Sequence, residues 1–185
     1  PADVAEWFDR SAERFGEIGF RRFADCLTKS VTPEGEACTD MYLRVMTSGD
    51  CRAVAELMWL IEPLLPVGAE LTGPEPVQRM MSVGSRSADG RIWGTEDSCL
   101  MRMTRPAEFE TRCLVRGVTE RELWEAHQKR VQESDVGEWV ACDTFELYLD
   151  EIQRGHALLR DHKRSFGYLD RRELSVIYGL EPKRL

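Results

Sequence analysis

The sequence predicts an α+β fold: an antiparallel sheet of about six strands built from hairpins, with one N-terminal helix and three C-terminal helices. Three observations carry this prediction. Apolar residues recur first at helical spacing, then alternate with period two as far as Gly117, then return to a period of 3.6. Short glycine-containing turns separate the period-two runs, which marks hairpins and not the long crossovers of a parallel sheet. Capping signals open the segments that follow. One domain over 1–185 is expected, with a helix and sheet in 1–117 and a helical half in 118–185.

In chain order, Val4, Trp7, Phe8, Ala12 and Phe15 line one face of a first amphipathic helix, which Gly16 or Gly19 ends. Phe20 to Thr28 reads as a strand, and KSVTPEGEACTD after it reads as a loop. MYLRVMT and RAVAELMWLI flank Ser48-Gly49-Asp50-Cys51 and form a hairpin from about Asp40 to Ile61. LLPVGAELTGPEP is a loop or crossing. A second hairpin pairs VQRMMSVGSRS with RIWGTEDSCLMRM through Ala88-Asp89-Gly90, where Asp-Gly supplies the positive φ of a tight turn. FETRCLVRG, beyond Pro106, is the sixth strand.

Thr119-Glu120-Arg121-Glu122 is a capping box and starts a helix at Glu120 that runs to about Glu133. Asp143 or Thr144 caps a longer helix, in which Phe145, Tyr148, Ile152, Leu159 and Phe166 share a face and Gly167 marks the end. Asp170 and Glu173 cap a last short helix closed by Gly179, with Pro182 beyond it.

Composition narrows the function. A 42% hydrophobic and 31% charged chain has the balance of a folded globular protein. Its formal charge of −8 repels phosphate backbones and anionic headgroups, which disfavours nucleic acid as the main partner. Lys129, Arg130, Arg160, Lys163 and Arg164 lie among acidic neighbours on amphipathic helices and read as solvated faces. The longest apolar stretch is broken by Glu56, Glu62, Pro63 and Pro66, so no bilayer span is expected. The six cysteines, at 26, 38, 51, 99, 113 and 142, form no C-x-x-C pair and read as buried thiols in a reducing, cytoplasmic setting.

The familiar reaction signatures are missing. H-E-x-x-H, G-x-S-x-G, G-x-G-x-x-G and the P-loop do not occur. His156 and His162, six residues apart, diverge by about 240° on a helix and cannot share one metal ion, so they read as helix surface together with Glu151 and Asp161. His127 falls on an apolar stripe between Leu123 and Val131. It is either a core-edge histidine with satisfied nitrogens or a general base oriented by a carboxylate. The candidate site is therefore His127 with Glu122, Trp93 and Trp124; no cofactor and no metal are expected.

The methionines at 41, 46, 58, 80, 81, 101 and 103 all fall in expected strands, where they fill a core or line an adaptable apolar pocket. MYLRVMTSGD with AVAEL, RMMSVGSRSADGRIWGTED, TRCLVRGVTERELWEAHQKRV and SFGYLDRREL together resemble the soluble domain of an uncharacterised group of bacterial proteins. The similarity covers roughly residues 18–178 and departs from the group around Glu34 and Glu36 and from Pro63 to Pro76. It implies the hairpin topology and a parent that is membrane-attached elsewhere. The expected function is a non-enzymatic interaction or sensory module with a protein partner. The alternatives are a small apolar ligand in a Met- and Trp-lined pocket, or an enzyme built around His127.

Overall fold

A computed structural model describes residues 2–31, 37–64, 77–97, 106–114 and 116–165. Helix α1 (Ala2–Glu17) leads into strands β1 (Phe20–Val31), β2 (Ala37–Ser48), β3 (Val54–Leu64), β4 (Val77–Arg86), β5 (Ile92–Glu96) and β6 (Phe109–Cys113). Helices α2 (Glu120–Gln132) and α3 (Phe145–Ser165) follow. The expected helix over 170–179 lies outside the described residues, as do Met101 and Met103.

The strands form one sheet whose spatial order repeats the chain order, β1-β2-β3-β4-β5-β6. Pairing is antiparallel from β1 to β5, but β6 lies parallel to β5. The sheet is therefore mixed, not purely antiparallel. A parallel neighbour needs a crossover connection, and the period-two pattern after Glu96 carried no sign of one. The expected loop at 29–40 is mostly strand: Lys29, Ser30 and Val31 pair with Thr39, Cys38 and Ala37. Ladder hydrogen bonds to a neighbouring strand override local loop composition here.

Side chains alternate between the two faces of the sheet. On β3, Ala55, Leu57 and Trp59 join Phe8, Phe15, Phe20, Met46, Met81, Val83 and Leu123 in the core beneath α1 and α2. The opposite face carries Val54 and Met58, which pack with Leu43, Val45, Phe145, Tyr148 and Ile152 beneath α3. A column of rings ties α1, β1 and α2 together: Phe15 meets Phe20 edge-on at 5.1 Å, Phe20 meets Trp124 at 4.9 Å, and Trp124 stacks on His127 at 5.9 Å. Arg44, buried on the α1 side, places its guanidinium 5.3 Å from the Phe8 ring centre and donates to Asp9 at 2.6 Å and Asp25 at 2.9 Å.

The turns and caps follow from local chemistry. Asp89 Oδ1 accepts from the Arg91 amide at 3.3 Å while Gly90 takes φ +94°, as the Asp-Gly pair predicts. In the β2–β3 turn the positive φ, 60°, belongs to Cys51 and not to Gly49. The capping box is complete: the Glu122 amide donates to Thr119 Oγ1 at 3.2 Å, and Glu122 Oε2 accepts from the Thr119 amide at 2.8 Å. Thr119→Ala is expected to cost about 1 kcal/mol, read as a lower urea midpoint at unchanged slope. Thr144 Oγ1 accepts from the Leu147 amide at 3.3 Å, so of the two cap candidates it is Thr144 that opens α3.

Candidate functional site

His127 is 1% exposed, and both of its ring nitrogens are engaged by hydroxyls. Nε2 lies 2.9 Å from Ser85 Oγ and Nδ1 lies 3.1 Å from Thr95 Oγ1. The neighbouring Arg130 Nη1 also donates to Thr95 Oγ1 at 3.1 Å. In either tautomer both ring nitrogens are hydrogen-bonded, because each hydroxyl can donate or accept. Burial, reinforced by the charge of Arg130, lowers the His127 pKa to about 4 and keeps the ring neutral.

Of the other side chains read with it, Trp124 stacks on the ring, and Trp93 is linked through Arg130, whose guanidinium lies 5.5 Å from the Trp93 ring centre. Glu122 is not brought to the histidine. Its carboxylate is exposed and is occupied by the cap of α2. The arrangement is that of a satisfied core histidine, with no carboxylate orienting it.

A different site lies on the opposite face of the sheet. A cavity of about 460 Å³ separates α3 from β3, β4, β5 and β6. Cross-strand register builds its floor in three rows, roughly 7 Å apart along the strands. The middle row aligns Val54, Gly84, Gly94 and Thr111. One flanking row aligns Glu56, Ser82 and Glu96, and the other aligns Arg86, Ile92 and Phe109. Arg52, two residues before β3, also lines the cavity. Above them α3 contributes Tyr148, Glu151, Ile152 and Gly155 to the lining. Val140, Ala141 and Cys142 close the end wall, held by hydrogen bonds from the Val140 amide to Arg86 O at 2.9 Å and from the Cys142 amide to Cys51 O at 2.7 Å.

The cavity exists because side chains are missing from it. Gly84 and Gly94 face each other across β4 and β5, and Gly155 lies on the roof. None of the three has a positive φ, so the backbone does not require glycine. A Cβ at Gly84 would come no nearer than 3.6 Å to the Trp93 carbonyl oxygen, one at Gly94 no nearer than 3.6 Å to Thr111 Oγ1, and one at Gly155 no nearer than 3.7 Å to Phe109 Cζ. Those are ordinary contacts. Gly155→Ala is therefore expected to stabilise the fold by about 0.8–1 kcal/mol through helix propensity, seen as a higher thermal midpoint.

Two polar ties hold the roof to the floor. Tyr148 donates to Glu56 Oε1 at 2.7 Å, and Ser82 donates to Glu56 Oε2 at 3.1 Å. Burial, and then the Glu56 charge, raise the Tyr148 pKa, so the phenol stays protonated and remains the donor. At the other end Arg86 pairs with Glu151. Burial and the neighbouring Arg154 lower the Arg86 pKa.

Sequence reasoning passed over this site. Glu151 read as helix surface, yet it is paired across the cavity; His156 is exposed on α3, as read, and also borders the cavity. Of the two readings of the methionines, core filling describes Met46 and Met81, and the Met- and Trp-lined pocket is not this cavity. Met46, Met81, Trp7, Trp59 and Trp124 pack beneath α1 and α2, and among the described residues no Met or Trp borders the cavity. The available signal was glycine inside strand and helix patterns, which marks either a weak element or deliberate space. No group of three or more His, Cys, Asp or Glu residues able to hold a metal ion occurs among the described residues, and no helix among them is long and apolar enough to cross a membrane. Comparison with protein-family models, with curated proteins and with solved structures finds no match.

Proposed function

We propose that the chain is a non-enzymatic sensory domain whose signal is a small, largely apolar molecule bound between the sheet and α3. The cavity carries this reading. Its volume of about 460 Å³ falls within the range of small-molecule sites, its walls are mainly apolar, and its few polar groups converge from both ends. Glycines that the backbone does not need preserve the space, although each weakens the element that holds it. The roof is a single helix tied down by Tyr148–Glu56 and, one turn further on, by Arg86–Glu151. An occupant that favours one position of α3 over another would shift its equilibrium by the difference in affinity. Burial and the two hydroxyl partners of His127 support the non-enzymatic part, since they hold the ring away from solvent and from a reacting group.

The test is a thermal-shift screen of small apolar compounds against the wild-type chain and Gly94→Val. Valine suits a strand and fills the middle row. A ligand at one hundred times its Kd should stabilise the wild type by about 2.7 kcal/mol and leave the filled variant unchanged. Equal responses from both proteins would refute binding in the cavity.

A further inference from the structure

The two ends of the cavity differ in what they lack, and that difference specifies a ligand. At the carboxylate end Glu56 already accepts from Tyr148 and Ser82, one bond to each oxygen, and Glu96 Oε2 lies 3.9 Å from Cys113 Sγ. At the opposite end Arg86 pairs with Glu151, but its Nε is buried and has no hydrogen-bond partner among the described residues. A buried N–H of a charged group left without an acceptor is costly, so this end is short of an acceptor.

The local charge points the same way. Arg52 lines the same cavity, and Arg154, whose guanidinium lies against Gly90 of the β4–β5 turn, is close enough to act on Arg86. The charged lining residues are Arg52 and Arg86 against Glu56, Glu96 and Glu151. Of the three carboxylates Glu151 pairs with Arg86, while Glu56 and Glu96 stand two rows away. Between this end and the Glu56 row lies the uncharged middle row of Val54, Gly84, Gly94 and Thr111.

We infer that the ligand is an apolar molecule ending in a carboxylate. The carboxylate lies against Arg86, and the hydrocarbon or aromatic body extends over Gly84 and Gly94 under α3. The inference rests on the cavity being a binding site and adds the end group. Arg86 presents a planar fork that matches two carboxylate oxygens. Glu151 holds part of that fork in the unliganded chain, so a bound carboxylate competes with the roof helix for the same cation. Binding thus releases one of the two ties of α3, which gives the site a means of signalling.

The experiment is calorimetric titration with straight-chain and phenyl-terminated carboxylates, alcohols and amines of matched length. The proteins are wild type, Arg86→Gln and Glu151→Gln. Carboxylates should bind wild type roughly tenfold or more tightly than the matched alcohols, as charge-assisted hydrogen bonds exceed neutral ones. Arg86→Gln should erase that margin while alcohol binding persists, which also shows that the variant is folded. Glu151→Gln should increase carboxylate affinity severalfold and leave alcohols unchanged, a gain that misfolding cannot produce. Alcohols or amines binding as tightly as carboxylates to wild type would overturn the end-group assignment and leave the cavity reading standing. Binding by no member of the panel at millimolar concentration would overturn both.

Discussion

Phe15→Ala is expected to destabilise the domain by about 3–5 kcal/mol, a large fraction of the stability of a typical fold. Phe15 is 0% exposed and heads the ring column through Phe20, Trp124 and His127. Truncation removes the transfer free energy of a buried ring. It also opens a void where α1, β1 and α2 meet, elements too well braced by their other contacts to collapse into it. Urea unfolding followed by tryptophan fluorescence measures the change. A loss below 1 kcal/mol would mean that α1 lies outside the cooperative unit.

Acidification from pH 7 to pH 5 should remove about 2 kcal/mol through His127 alone. The ordinary pKa of the group, 6.5, applies to the unfolded chain, and the folded value is about 4. Between those values the unfolded state binds more protons than the folded state, so stability falls as pH falls. The contribution is fully present above pH 6.5, declines through the interval and is exhausted below about pH 4. Urea unfolding at the two pH values, on wild type and on His127→Gln, isolates it. The loss on acidification should be smaller in the variant by about 2 kcal/mol, and equal losses would contradict a buried neutral imidazole.

Features with a local cause were legible in the sequence. Thr119 and Glu122 cap α2 because their hydrogen bonds close within three residues, and Gly90 turns the second hairpin because Asp89 sits before it. The amphipathic face of α1 was readable from Val4, Phe8 and Phe15, all of which are buried. What remained hidden is set by cross-strand register. The periodicity of β4 places Gly84 on one face of its own strand, but nothing in that strand reveals that Gly94 stands opposite it. The direction of β6 was hidden for the same reason, because it depends on the pairing with β5 and not on the alternation within FETRC. His127 was read as a choice between core and catalysis, and its hydroxyl partners on β4 and β5 come from residues 42 and 32 positions away. The candidate cavity was nearly invisible, since a void leaves no residue type behind except glycine.

The agreement between strand order and chain order also bears on how the protein is made. From β1 to β5 each strand pairs with the one synthesised just before it, so loop-closure entropy is met in short steps. Domains emerge from the ribosome N-terminus first, at about 5–20 residues per second. The strands that floor the cavity, β3 to β6, all precede α3 in the chain, so the floor is synthesised before the helix that roofs it.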